Sequence, residues 1–335
     1  MSIPACPSPK SRARRAVLAA AAGAALAATL APAQAQTAAA WPNRPVRIVV
    51  PYPAGGSSDV IARLLSQQLQ ETLGQPVLVD NKAGANGNIG AEYVAKSTDG
   101  HTFLLADVLA LAISGSVYTK LRFDPATDLV GAAMLAYSPH LLVVHPSVPA
   151  NSLKELVALS QREPLSFAVT AIGSPPHLAG VAVEQATGAR WQYIPYKGGA
   201  QAINDTMGGQ AQVLMNGMLA TLPHVQSGKL KVLAVSKRTR MPLVPQVPTL
   251  AESGVPDFES GSWQGVLAPR ATPPAVLKRL NAELTRIIRS PDMRARLAAQ
   301  GAEVSTMDTK EFARFYAAEH QRWAGIVKAL NLTLD

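Results

Sequence analysis

The chain has 335 residues, of which 48% are apolar and 16% charged, with a formal charge of +9 at pH 7. That length is more than one core usually holds, so two domains are expected. The apolar content excludes a disordered chain, and a basic excess without a dense Lys/Arg stripe or aromatic-basic motif argues against nucleic acid as a partner.

Lys10, Arg12, Arg14 and Arg15 open the chain with positive charge, and an uncharged Ala/Leu-rich run follows from Val17 to Leu30. Ala33-Gln34-Ala35 then supplies the small-x-small pattern that a signal peptidase reads. Residues 1–35 therefore read as a secretory signal peptide cleaved near Ala35, which makes the mature chain periplasmic. A transmembrane anchor is the competing reading, but the run falls short of the ~20 residues a span needs, and Pro32 breaks it. Cleavage removes Cys6, the only cysteine, so the mature chain has no disulfide, thiolate ligand or thiol nucleophile. It also removes four cations, and the formal charge falls to about +5, a mild attraction for anionic ligands.

From there the pattern is strand, Gly-rich loop, helix, repeated. Arg47 to Tyr52 reads as a buried strand and Pro53 to Ser58 as a loop. A helix follows with Ile61, Leu64, Leu65, Leu69 and Leu73 on one face, capped by Ser57 or Ser58 and ended by Gly74. Val77 to Asp80 is a short strand, Ala83 to Gly87 a loop, Ile89 to Lys96 a helix, and Phe103 to Ala106 a third strand. Ser166 to Thr170 is a strand, with a loop from Ala171 to Pro176 and a helix from His177 to Ala186. Gln192 to Tyr196, Ala211 to Met215 and Lys231 to Val235 are further strands, with a helix from Ala200 to Met207 after the first of them. Alternation of strands and helices predicts parallel sheets and an α/β fold.

Leu141 to Val144 and Gly261 to Leu267 are extended runs, each followed by a proline-bearing segment, and read as crossings between domains. Residues 36–141 plus 260–335 would then form a discontinuous lobe one, and 142–259 lobe two. Lobe one closes with two helices. The first carries Val276, Leu280, Leu284 and Ile287, and the second starts at the capping-box sequence Asp308-Thr309-Lys310-Glu311. Two lobes joined by two crossings make a clamshell with a ligand cleft between them.

In open parallel sheets ligands bind beyond the carboxyl ends of the strands, and the loops above lie there. Ala54, Gly55, Gly56, Ser57 and Ser58 join a strand to a helix start, whose free N–H groups suit an anion; a plain turn is the alternative reading. Gly84, Ala85, Asn86 and Gly87 repeat the arrangement. Thr170, Gly173, Ser174 and His177 come from the other lobe, as do Tyr196, Lys197 and Asn216. His177 reads either as a structural histidine at a helix start or as a ligand contact, and Lys197 either as a partner for a carboxylate or as a solvated turn residue. Asp107, at the end of the third strand, is the acid that stands out in the cleft; a helix cap or hinge contact is its alternative role.

Signals for chemistry are poor. The six histidines are scattered, with no pair at a metal-ligand spacing, and no Gly-x-Ser-x-Gly elbow occurs. Gly84, Gly87 and Gly90 do not make the dinucleotide pattern. No cofactor, no metal and no catalytic site are expected.

From Trp41 to about Ala329 the chain resembles the Bug/TctC family, the solute receptors of tripartite tricarboxylate transporters. The resemblance is carried by Trp41 to Pro45, Pro51 to Asp59, Leu73 to Pro76, Asp80 to Gly90 and Asp99-Gly100. It continues through His145 to Pro149, His177 to Gly180, Pro195 to Gly198, Leu222 to His224, Val247 to Thr249 and Leu267 to Pro269. It implies a type II periplasmic binding-protein fold, no catalysis, and a monomer that works with the membrane permease subunits of a transporter. A ligand carboxylate would be gripped by backbone and water at Ala54 to Ser58 and Gly84 to Gly87, with the Pro-Tyr-Lys-Gly stretch and the loop before His177 across the cleft. The segment Asp107 to Ala112 and the loop from Thr170 to Pro176 are less polar than the family pattern, and Asn216 stands where an acid is common. Such a cleft disfavours citrate-like ligands and suits a mono- or dicarboxylate with an apolar or aromatic body, or an amine or amide if Asp107 faces it. A receptor read by a membrane sensor kinase and an exported enzyme on the same fold are the alternatives.

Overall fold

A computed structural model describes residues 41–329, 333 and 334. The signal-peptide reading of residues 1–35 lies outside the described residues. Strand β1 (Val46–Val50) is an apolar run, and α1 (Ser57–Leu73) follows it. Helix α1 buries the stripe Ile61, Leu65, Leu69 and Leu73, and Gly74 ends it in the left-handed conformation, its N–H donating to the Gln70 carbonyl at 3.1 Å. Neither Ser57 nor Ser58 caps this helix, contrary to the sequence reading: its N-cap is Gly56, with no side-chain bond. Strand β2 (Val77–Asn81), a single 3-10 turn at Ala85–Gly87, α2 (Asn88–Ala95) and β3 (Thr102–Asp107) come next. Helix α3 (Val108–Val117) follows without a loop, and Asp107 caps it through the Leu109 N–H at 3.1 Å. Its first six residues, Val108 to Ile113, are all apolar and buried, as in an interior helix. Strand β4 (Leu129–Val144) is 16 residues long. Only its last four residues were expected from the sequence.

Helix α4 (Leu153–Arg162) is capped by Ser152, whose hydroxyl accepts the Glu155 N–H, while Glu155 accepts the Asn151 N–H in return. Then come β5 (Leu165–Val169), α5 (Pro175–Thr187), β6 (Trp191–Pro195), α6 (Gly199–Met207), β7 (Val213–Gly217), α7 (Met218–Gln226) and β8 (Lys231–Val235). Helix α5 starts earlier than the sequence reading placed it, because Pro175 and Pro176 occupy its first turn, where a missing N–H costs nothing. Strand β7 runs further than expected, so Asn216 lies within it. The chain closes with β9 (Gly261–Pro269), α8 (Pro274–Ile288), α9 (Pro291–Ala298), β10 (Glu303–Val304) and α10 (Thr309–Ala329). The capping box at the start of α10 is formed: Asp308 accepts the Glu311 N–H at 2.7 Å and Glu311 accepts the Asp308 N–H at 2.8 Å.

The strands run in the order β2-β1-β3-β9-β4-β7-β5-β6, with β8 and β10 also on β4. β1, β2 and β3 are parallel, β9 is antiparallel to β3, and β4 is antiparallel to β9. β4 is shared. From Leu129 to Pro139 it pairs with β9, and from His140 to Val144 it pairs with β7 and β8. The handover is stitched by backbone and hydroxyl bonds. The His140 N–H donates to the Ser260 carbonyl and the Ser236 hydroxyl, and the Ser236 N–H donates back to the His140 carbonyl.

Separate apolar clusters pack on the stretches of sheet before and after this handover. On the first, Val49, Leu104, Leu111 and Phe312 pack together. Phe312 is fully buried over Gly131 and Gly265, where an added Cβ would come within 2.6 Å and 3.1 Å of its ring. Burying a side chain of this size contributes ~2–3 kcal/mol, and it needs those two bare backbones. On the second, Phe167, Val183 and Trp191 form the core on one face of the sheet, and Leu141, Leu214 and Ile203 the core on the other. A small cluster of Ile113, Val117, Leu178 and Val327 joins α3, α5 and α10.

Candidate functional site

A cleft opens where the ends of β1, β3, β5 and β7 meet, the place a parallel α/β sheet offers a ligand. Tyr52, Gly56, Ser57 and Ser58 line it from the loop after β1, and Asn86 from the second loop. Asp107 and Ala110 enter from the start of α3, and Ser262 and Gln264 from β9. Thr170, Pro175, Pro176, Gly199 and Asn216 form the opposite wall.

The first loop is held from behind by Asp59. Its carboxylate accepts the Gly55 N–H at 2.9 Å, the Asn81 amide at 3.0 Å and two Arg63 N–H groups at 2.9 and 3.0 Å. Burial pushes the Asp59 carboxyl up, but the Arg63, Gly55 and Asn81 bonds outweigh it and hold the group below the usual carboxylate range. Asn81 also donates to the Tyr52 carbonyl at 3.0 Å. The N-cap residue is Gly56, so the first N–H groups of α1 have no side-chain cap. Ser58 is spent on Gln264, its hydroxyl donating to Oε1 at 2.6 Å.

The second loop is a run of unusual backbone. Ala85 and Asn86 have φ of 46° and 54°, between Gly84 at 137° and Gly87 at 91°. Left-handed residues other than glycine are uncommon and concentrate at functional sites. The Asn86 side chain is 8% exposed and its Nδ2 has no partner, which leaves a buried donor beside the cleft.

Asp107 Oδ1 accepts the Leu109 N–H at 3.1 Å and the Trp263 N–H at 3.3 Å. Burial pushes its carboxyl up to about 7, while bonds from the Ser262 hydroxyl and the Leu109, Trp263 and Ala110 N–H groups pull the other way. Behind Ser262 stands His140, fully buried, with Nε2 at 3.3 Å from the Ser262 hydroxyl and Nδ1 at 2.8 Å from the Ser260 hydroxyl. Burial lowers the His140 ring to about 3, so it is neutral. With Ser262 donating to Asp107, the network assigns the His140 proton to Nε2. Burial, and then the charge of Asp107, raises the Tyr52 phenol far above its ordinary range.

The walls touch. An added Cβ on Gly198 would stand 2.6 Å from Pro53 Cδ, one on Gly55 would stand 3.6 Å from the Ala200 Cβ, and one on Gly217 would stand 3.0 Å from the Ser57 hydroxyl. The loops after β1 and β6 therefore pack on each other over one end of the cleft.

Of the residues expected from the sequence, Gly56, Ser57, Ser58, Asn86, Asp107, Thr170 and Asn216 line the cleft. Ala54 and Gly55 are exposed beside it, and Gly84, Ala85 and Gly87 shape the second loop. Gly173, Ser174 and His177 are engaged with one another at the start of α5. Ser174 accepts the His177 N–H at 3.4 Å, and His177 Nδ1 accepts the Gly173 N–H at 3.1 Å. The His177 ring packs edge-on against Tyr193 at 4.7 Å, and burial lowers its pKa to about 4. Tyr196 bonds toward Asp205, and Lys197 is exposed. Tyr52, Ala110, Pro175, Pro176, Gly199, Ser262 and Gln264 were not anticipated as lining residues. The two from β9 sit in an extended run with no loop signal, so only strand pairing reveals them.

Residues 61–332 match the tripartite tricarboxylate transporter family receptor. The chain is 39% identical to protein BugT of Bordetella pertussis over 91% of its length and 94% of that protein's. It superposes with a TM-score of 0.83 on an R. palustris protein solved with adipate, at 35% identity, covering 88% of this chain and 99% of the other. MatC of Rhodopseudomonas palustris, solved with bound malate, gives a TM-score of 0.81 at 30% identity, covering 86% of this chain and all of the other (100%). The two-lobed α/β fold expected from the sequence is that of the solved periplasmic binding proteins. The chain belongs to the tripartite tricarboxylate transporter receptor family.

Proposed function

We propose that the chain is a periplasmic receptor that captures a small carboxylate between its two lobes and delivers it to the membrane permease subunits of a tripartite transporter. The observation that carries this reading is the start of α1, which opens on the cleft without a side-chain cap because its N-cap residue is Gly56. A carboxylate at that point would accept N–H groups at the positive end of a helix, with the Asn86 amide as a further donor. Relatives of the same fold solved with adipate and malate support a carboxylate as the ligand class. Lobe one would comprise residues 36–141 and 260–335, lobe two residues 142–259, with the crossings on β4 and β9. Ala110, Pro175 and Pro176 give the cleft an apolar wall, which suits an aliphatic or aromatic ligand body.

An enzyme on this fold is disfavoured by the pair that Ser262, on the cleft wall, makes with the buried His140 behind it. The far nitrogen of His140 meets the Ser260 hydroxyl rather than a carboxylate, and Ser262 is itself held by Asp107. The test is a thermal-shift screen of the mature chain, stripped by unfolding and refolding, against aliphatic and aromatic mono-, di- and tricarboxylates. A ligand at ~100 times its dissociation constant adds about 2.7 kcal/mol and raises the midpoint by a few degrees. No shift with any acid overturns the carboxylate reading.

A further inference from the structure

We propose that Asp107 is a built-in anion in the cleft, beside the donors at the start of α3, so that the site takes a monocarboxylate and rejects dicarboxylates. This inference rests on the carboxylate-receptor reading and narrows it.

The cleft has two sets of donors. One is the uncapped start of α1, open to a ligand. The other is the start of α3 together with β9, where the Leu109 and Trp263 N–H groups and the Ser262 hydroxyl converge. A helix start with a neighbouring hydroxyl is what a second ligand carboxylate would need. Here every one of those donors is already committed to the carboxylate of Asp107. The position is therefore filled by the protein's own acid.

Nothing nearby offsets that charge. Among the described residues, no lysine, arginine or histidine lines the cleft, and Asp107 is the one acid that does. The titratable groups that face Asp107 are Tyr52 from the end of β1 and, through Ser262, His140 from β4. Both are neutral: burial raises the first and lowers the second. Helix α3 and the β9 residues from Ser262 to Gln264 bring no charged side chain. Above the raised pKa of Asp107, a second carboxylate would thus meet a like charge in a cleft with no cation among the described residues that line it, and it would leave water to do so. A ligand with a neutral remainder meets Ala110, Pro175 and Pro176, with Asp107 free to accept from a hydroxyl or amide.

The test uses matched pairs that differ in the second carboxylate: hexanoate against adipate, and benzoate against terephthalate. Affinities are measured by calorimetry on the mature chain at pH 8. The expected result is at least tenfold tighter binding of the monocarboxylate in a pair that binds. Asp107→Asn should shrink that ratio at least tenfold, mainly by gain for the dicarboxylate. Asp107→Ser, which keeps a capping hydroxyl for α3, should do the same and guards against a folding defect in the first variant. A wild-type preference for the dicarboxylate, or a ratio unchanged in both variants, overturns this inference and leaves the carboxylate reading intact. Failure of every acid to bind the folded wild-type chain overturns both.

Discussion

The Asp107 carboxylate accepts the Trp263 N–H at 3.3 Å, although the two residues are 156 positions apart in the chain. The bond ties the end of β3 to the incoming β9 and brings a carboxyl to rest where water is scarce. Its folded pKa, about 7, lies above the ordinary value of 3.8. A carboxyl raised on folding contributes stability that is full below its unfolded pKa and is lost as pH rises through the folded one. At ~1.4 kcal/mol per pH unit, the window from about 4 to about 7 amounts to about 4 kcal/mol as an upper bound. Asp107→Asn should therefore gain stability over the wild type as pH rises across that window and hold a constant advantage above it. Urea unfolding of both chains at pH 4, 5, 6, 7 and 8 reads this directly; a difference that does not vary with pH would refute it.

His140 works in the opposite sense. Burial lowers its ring from 6.5 to about 3, so its contribution is present above 6.5 and is lost as pH falls toward 3. His177, lowered to about 4, adds to the same slope. The wild type should lose stability between pH 6.5 and 4, at up to ~1.4 kcal/mol per pH unit for each ring, less what Asp107 returns. His140→Asn, which can still bond to serines, should flatten the profile. An acid limb as steep in the variant as in the wild type would show that His140 is not responsible.

Asp59 has four donors on its carboxylate, from Gly55, Asn81 and Arg63. Asp59→Ala strands the Gly55 N–H and the Asn81 amide and loosens the first loop. Hydrogen bonds to a charged group contribute ~1.5–3 kcal/mol each, and the stranded donors are partly rehydrated, so a loss of about 2–3 kcal/mol in stability is expected. Ligand affinity should fall at least tenfold. Unchanged affinity would mean that the shape of this loop is irrelevant to binding.

Gly198 has no room for a side chain, since its Cβ would lie 2.6 Å from Pro53. Both residues sit in loops at the cleft mouth, so Gly198→Val should wedge them apart without disturbing either core. The expected signature is a small change in melting temperature for the free chain, under about 1 kcal/mol, with at least tenfold weaker ligand binding and a larger radius of gyration in solution scattering. An unaltered radius with full affinity would show that the contact is dispensable.

The elements that could be read from the sequence are those whose pattern is local. Helix α1 announces itself by Ile61, Leu65 and Leu69, and α10 by the reciprocal pair Asp308 and Glu311. Helix α3 was missed because a segment that is apolar all round has no period. The first part of β4 was missed because Gly131 and Pro139 interrupt its apolar run; Pro139 is tolerated where the strand changes partners, and Gly131 is required beneath Phe312. The site follows the same division. Loops between strand and helix pointed to Gly56, Ser57, Asn86 and Thr170. Ser262 and Gln264 reach the cleft only through antiparallel pairing of β3 with β9, which sets Asp107 opposite Gln264. Ser174 and His177 were drawn out of the lining because the prolines start α5 early and the helix start consumes both side chains.

The sharing of β4 between two partners has a mechanical meaning. Any rotation of one half of the molecule against the other has to wring a continuous strand between Pro139 and His140, where the bonds to Ser236 and Ser260 lie. A pivot at this point would be a torsion element built from sheet, not a slack tether. Its resistance would be set by bond distortion and would grow with angle, so opening would have a restoring force and a limited arc. Proline suits that spot because it has no N–H to lose when the strand twists.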